Sequence, residues 1–216
     1  MTPEHHVATD PVWGCVLIGG QSRRMGSPKH LLQQGGRTWI ERTVSLLRPR
    51  VAQVIIAGAG HLPASLAGER RVDDLPELGG PLAGILAAFR CYPRVSWLVA
   101  ACDLPDMQDE ALQWLLDCRR PGVLAVMPDL AADGQIEPLL AYYDRSCRPL
   151  LEEMAASGQR RMNRLRDFEG VITPQPPLSI RNSWRNVNTP HELNPEPPTE
   201  KPASNRVETY EQRTKK

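Results

Sequence analysis

An α/β fold, with a mainly parallel twisted sheet and helices on both faces, is the class this sequence predicts. Three observations carry it. Short apolar runs rich in β-branched residues alternate with segments whose apolar residues fall at helical spacing, the pattern of a parallel sheet covered by helices. The first run, Val12-Trp13-Gly14-Cys15-Val16-Leu17-Ile18, opens directly onto Gly19-Gly20, a strand leading into a glycine-rich turn. The chain has 216 residues and is 41% hydrophobic, which suits one domain rather than two.

The elements follow in order. Thr38 to Arg48 places Ile40, Val44 and Leu47 on one helical face. Val51 to Ala57 is a second strand run. Pro81 to Arg90 begins with proline at a first helical position, where its missing N–H costs nothing, and sets Leu82, Ile85, Leu86 and Phe89 on one side. Val95 to Ala101 is a third strand. Asp109 to Cys118 is a helix with Leu112, Leu115 and Leu116 inward. Val123 to Met127 is a fourth strand, and Ser146 to Ala156 a last helix. The domain is expected over 12–193. Residues 1–11 are polar and without period. Residues 194–216 are rich in Pro, Glu and Lys, with Val207 and Tyr210 their only apolar side chains beyond an alanine. That is too little burial to offset ordering, so the tail is expected to be disordered.

Composition narrows the function classes. With 26 basic and 25 acidic residues the net charge is +1, so no strong attraction to nucleic acid or to a membrane follows. Cys15, Cys91, Cys102, Cys118 and Cys147 show no Cys-x-x-Cys spacing and are expected to be reduced thiols. No signal peptide and no 18-residue apolar run is present, which predicts a cytoplasmic, soluble protein.

The loop after the first strand carries the chemistry. Lys29 is the only lysine in the first two hundred residues, and it closes Gly19-Gly20-Gln21-Ser22-Arg23-Arg24-Met25-Gly26-Ser27-Pro28-Lys29. Lysine offers a compact ammonium on a flexible stem that guanidinium does not replace. Glycines let backbone N–H groups approach a phosphate, and successive N–H groups form an anion-binding concavity. The spacing is not that of a P-loop, since five residues separate Gly20 from Gly26 and the lysine comes three later. Nor does Gly-x-Gly-x-x-Gly follow the strand.

Further along, the strand Ser96 to Ala101 runs into Cys102-Asp103-Leu104-Pro105, so Asp103 emerges at the carboxyl edge, where ligands of such sheets bind. A carboxylate there is either a turn cap or a ligand for a hard cation such as Mg²⁺. Asp73-Asp74 precedes Gly79-Gly80-Pro81-Leu82-Ala83-Gly84. Asn186-Val187-Asn188-Thr189-Pro190 follows late in the chain; Thr189 with Glu192 reads as a capping box, and Asn186 and Asn188 point the same way if extended.

Leu-x-Gly-Gly-x-Ser-x-Arg-Met-Gly-x-x-Lys, the Gly-Pro-Leu-Ala-Gly block, Cys-Asp-Leu-Pro and Asn-Val-Asn-Thr-Pro stand in one order over about 12–193. Together they resemble the nucleotidyltransferases, and among these the molybdenum cofactor guanylyltransferases. The resemblance implies a Rossmann-like nucleotidyltransferase fold and GMP transfer from GTP to a molybdopterin-type cofactor, with Mg²⁺ as cofactor. It implies that Gly19, Gly20 and Gly26 cradle the triphosphate, with Ile18 and Ser22 in the same nucleotide site, and that Leu17 and Gly19 hold the base through backbone groups. By the same likeness Lys29 and Arg24 neutralise the phosphates, Asp103 holds the Mg²⁺, Asp74 (or Asp73) contacts the nucleotide, and Asn186 and Asn188 face the pterin substrate. Arg160 and Arg161 are further candidates for its phosphate. A molybdoenzyme apoprotein or its chaperone would be the later partner. Two departures stand out. Ser27-Pro28-Lys29 is one residue shorter than the family's usual Gly-x-Asp-Lys, and Ala57-Gly58-Ala59 stands where an asparagine often meets the base. A cytidylyltransferase of the same cofactor and a sugar-1-phosphate nucleotidyltransferase are the alternative enzymes. A non-catalytic cofactor carrier is the alternative of another class, and it would need neither Lys29 nor Asp103.

Overall fold

In the computed structural model residues 11–19 and 28–187 are described; the statements below concern these. Strand β1 (Val12–Leu17) leads to Gly19, and the chain is described again from Pro28 through a 3-10 turn over Lys29–Leu31. A small hairpin of β2 (Gln33–Gln34) and β3 (Arg37–Thr38) turns at Gly35 and Gly36, whose φ of 61° and 76° are the left-handed values glycine adopts freely. Helix α1 (Trp39–Leu47) starts on a capping box: the Thr38 hydroxyl accepts from the Glu41 N–H, and the Glu41 carboxylate accepts from the Thr38 N–H at 2.8 Å. Such a cap stabilises a helix by about 1 kcal/mol.

The chain continues through β4 (Val54–Ala57), β5 (Arg70–Val72), α2 (Pro81–Cys91), β6 (Ser96–Ala101), α3 (Asp109–Asp117), β7 (Ala125–Val126), β8 (Leu140–Tyr143), α4 (Arg148–Ala156) and β9 (Val171–Ile172). Seven strands form one sheet in the order β5-β4-β1-β6-β8-β7-β9. β5, β4, β1 and β6 are mutually parallel, and β9 is parallel to β7. β8 runs antiparallel to both β6 and β7.

Both faces are covered, as the alternation predicts. On one, Ile40, Val44 and Leu47 of α1 and Leu112 and Leu115 of α3 pack against Val16, Ile56, Leu98 and Ala100. On the other, Leu82, Ile85 and Leu86 of α2 and Leu151 of α4 pack against Cys15, Ile55, Trp97 and Val99. Each such side chain gains roughly 1.5–3 kcal/mol from burial.

Three expected elements start two or more residues late, and five strands, β2, β3, β5, β8 and β9, are unanticipated. The run from Val51 becomes a strand only at Val54, because the chain bends at residues 51 and 52 as it comes alongside β1, where the Ala52 N–H donates to the Val12 carbonyl. The run at 123–127 is a strand only at Ala125–Val126. The last helix begins at Arg148, since Arg145–Cys147 form a 3-10 turn capped by the Asp144 side chain. β8 is an unanticipated strand, and its insertion makes the sheet mixed on that side.

Candidate active site

β1 and β6 lie in parallel register, Leu17 opposite Ala101, so Ile18-Gly19 and Cys102-Asp103 leave the sheet together. The Cys102 N–H donates to the Leu17 carbonyl at 3.3 Å and holds the two exits side by side. On its other edge β1 pairs with β4, so the chain departs in both directions from this point, the place where open α/β sheets form a crevice. A cavity of about 280 Å³ opens there. Leu17, Ile18, Gly19, Lys29, Asp74, Gly80, Pro81, Gly84, Ala101, Cys102, Asp103 and Leu139 line it.

On one wall Lys29 Nζ donates to Asp103 Oδ2 at 2.8 Å, with the side chains only 15% and 16% exposed. At that burial the pair is less screened than a surface ion pair. The second oxygen, Oδ1, is buried and has no hydrogen-bond partner among the described residues. Leaving a carboxylate oxygen so is costly, and its chemistry suits a hard cation. No group of three or more His, Cys, Asp or Glu among the described residues could hold a metal ion by itself. A cation here would take Asp103 and complete its shell from a ligand.

Lys29 is held from below. His30 follows it and is buried, with Nε2 2.9 Å from the His61 carbonyl, to which its N–H tautomer donates. The ring packs so closely on Gly60, whose φ is 150°, that a Cβ there would stand 2.9 Å from His30 Cε1. Asp103 is fixed through its backbone: its carbonyl accepts from the Val187 N–H at 3.1 Å, and Val187 is buried against Trp39.

Asp74 follows β5 and lines the same cavity. A Cβ at Gly84 would lie 2.9 Å from Asp74 Oδ1 and 3.1 Å from Leu17 Cδ2, so glycine in α2 lets the helix close on both. The residue is exposed as a whole, yet partial burial of its carboxyl, followed by the Asp73 charge, raises its pKa above the usual aspartate value. Burial and then Asp103 push the Cys102 thiol up to about 12, so it is a neutral wall atom and not a nucleophile.

Of the residues singled out in the sequence, Leu17, Ile18, Gly19, Lys29, Asp74 and Asp103 meet in this one cavity. Asp73 is exposed and does not line it. Asn186 is exposed beside Val187 and does not line it either. Gly20, Ser22, Arg24, Gly26 and Asn188 lie outside the described residues, as do the capping box at Thr189 and the tail from Asn194. Arg160 and Arg161 are exposed and lie between α4 and the 3-10 turn Met162–Asp167, not on a helix. Gly80, Pro81 and Gly84 read in sequence as a helix opening, and the structure adds them to the cavity wall. A glycine inside an otherwise apolar helix, costing about 1 kcal/mol against alanine, was the available signal of a close approach.

Comparison with known proteins agrees with this geometry. Residues 14–171 match the model of the MobA-like NTP transferase domain. The chain is similar to a probable molybdenum cofactor guanylyltransferase of Pelotomaculum thermopropionicum, 33% identical over 189 residues, covering 83% of this chain and 89% of that one. It is similar to the molybdenum cofactor guanylyltransferase of Sinorhizobium fredii, 31% identical over 192 residues, with 82% and 87% covered. Among solved structures, molybdopterin-guanine dinucleotide biosynthesis protein A from Archaeoglobus fulgidus superposes with a TM-score of 0.68 at 30% identity, covering 84% of this chain and 94% of that one. No helix among the described residues is long and apolar enough to cross a membrane.

Proposed function

Because the chain belongs to the MobA-like NTP transferase family, we propose that it transfers GMP from GTP to the terminal phosphate of a molybdopterin-type cofactor. A phosphate oxygen of the pterin attacks the α-phosphorus, the bond from that phosphorus to the bridging oxygen of the β-phosphate breaks, and pyrophosphate leaves. The products are the guanine dinucleotide cofactor and pyrophosphate. The observation that carries the reading is the Lys29–Asp103 pair at 2.8 Å inside a cavity at the joint carboxyl ends of β1 and β6. Relatives with the same activity in their names, at about a third identity over most of both chains, support it.

The protein's work in such a transfer is positioning and charge neutralisation. Lys29 neutralises the triphosphate, and Arg24, with Gly20, Ser22 and Gly26, completes the phosphate loop. Leu17 and Gly19 offer backbone groups to the base, with Ile18 beside them in the nucleotide site, and Asp74 contacts the nucleotide. Asp103 holds the Mg²⁺, whose buried, unpartnered Oδ1 fits that duty. When bound, the ion offsets charge on the triphosphate. Asn186 and Asn188 face the pterin. The finished cofactor then passes to an apoprotein in the cytoplasm.

Pyrophosphate release measured with GTP, CTP and ATP against molybdopterin tests the assignment. GTP is expected to exceed CTP in kcat/KM by at least about tenfold, roughly 1.4 kcal/mol. Equal or better use of CTP overturns the guanylyl assignment and leaves the nucleotidyltransferase. Cofactor binding with no pyrophosphate from any nucleotide would mean a carrier.

A further inference from the structure

A site that takes a metal through a single carboxylate needs that carboxylate accessible, and here it is engaged by the residue meant for the phosphates. Asp103 Oδ2 accepts from Lys29 Nζ at 2.8 Å, and both side chains are largely withdrawn from water. Building on the nucleotidyltransferase reading above, we infer that Lys29 and Mg²⁺ are alternative partners of the Asp103 carboxylate, so that the metal enters only together with the triphosphate.

The charges require it. While the pair is closed, Asp103 has no net charge to offer, and an approaching dication meets the Lys29 ammonium first. Mg²⁺ gives up water reluctantly and is usually bound through one or two carboxylates plus phosphates. Among the described residues no cluster supplies other ligands. Asp74, the other carboxylate of the cavity, lies against Gly19 and Gly84. The buried Oδ1 of Asp103 adds an acceptor but not a charge. A triphosphate changes this balance. It offers the ammonium a partner of higher charge in the same cavity, and a four-carbon stem lets Nζ swing to it. Asp103 is then an uncompensated, largely buried carboxylate, a costly state, and the nearest cation is the one that the triphosphate carries. The nucleotide and metal therefore bind as a unit, and the site does not collect free divalent ions.

Mn²⁺ is the probe, followed by loss of its free-ion EPR signal on the full chain. Without nucleotide, Lys29→Met is expected to bind Mn²⁺ at least about tenfold more tightly than wild type, since the competing cation is gone. Adding Asp103→Asn to Lys29→Met should abolish the gain. Equal affinities in wild type and Lys29→Met, or a gain that survives Asp103→Asn, would overturn the exchange. A second measurement needs no variant. The other lysines stand at 201, 215 and 216, so a ¹⁵Nζ-lysine spectrum has few signals. The Lys29 signal should move on adding GTP in EDTA and stay unmoved by Mg²⁺ alone; movement with Mg²⁺ alone refutes the idea. The underlying reading fails separately: Asp103→Asn would then bind Mn²⁺–GTP as tightly as wild type.

Discussion

The two ends of β1 and β6 are built from the same pair of strands and do opposite things. At the amino end Trp13 and Trp97 are register partners with rings 6.1 Å apart at 87°, joined by Tyr92 at 4.8 Å from Trp13 and by Phe89 at 6.2 Å from Trp97. Aromatic area packed edge to face fills that end. At the carboxyl end the same strands stop at Gly19 and Asp103, where an ion pair, an unpartnered carboxylate oxygen and the partly buried Asp74 carboxyl line a cavity. One end holds the sheet together. The other carries polar groups that the fold alone leaves partly unsatisfied, the usual mark of a place kept for a ligand. The division is not absolute, since the Trp97 indole N–H is also buried without a partner among the described residues.

The contrast can be broken from either end. The largest expected effect is at the amino end: Trp97→Ala should cost about 3–5 kcal/mol in urea unfolding, with kcat/KM per folded molecule unchanged. A large loss of turnover in the folded variant would show that the two ends are coupled. Next, Lys29→Ala should lower kcat/KM for MgGTP by about 10²-fold, near 2.7 kcal/mol, the range for one preorganised stabiliser. Near-normal turnover would remove Lys29 from the mechanism.

A smaller effect separates packing from chemistry within the site. Gly84→Ala puts a methyl 2.9 Å from Asp74 Oδ1. It should raise KM for GTP several-fold while kcat changes little; an unchanged KM would show that Asp74 can retreat without consequence. The smallest concerns pH. The folded pKa of Asp74 lies above its unfolded value, so the native state binds more protons in that window and stability falls as pH rises through it. Asp74→Asn should therefore raise Tm slightly at pH 7, by under about 2 °C, and the advantage should vanish at pH values low enough to protonate Asp74 in both states. A lower Tm at pH 7 would mean that the carboxylate stabilises the fold.

The sequence was informative where one signal sufficed. Helix α2 announces itself by Pro81 and a single apolar face, and its range, Pro81–Cys91, extends one residue beyond expectation. β6 is apolar from Trp97 onward, and its expected range, Val95 to Ala101, differs from the observed Ser96–Ala101 by one residue. β5 was hidden because an edge strand with Arg70 and Arg71 exposed has no apolar pattern; its pairing to β4 is a matter of backbone. β8 was hidden differently: Leu140-Ala141-Tyr142-Tyr143 is as buried as β6 but only four residues long and without a β-branched residue. In the site, Lys29 and Asp103 could each be suspected from their own neighbourhoods, but not the bond between them, since they lie 74 positions apart. The role of Leu139 in the wall depends on the antiparallel strand that it precedes, and no local signal held that.

The bond from the Val187 N–H to the Asp103 carbonyl makes the acidic wall depend on a segment much later in the chain. A ribosome delivers the aspartate well before the amide that anchors it. Until Val187 emerges and seats against Trp39, the acidic wall has lost one of its fasteners. A chain ending before Val187 would carry the lysine and the aspartate of the cavity without that bond to the Asp103 carbonyl.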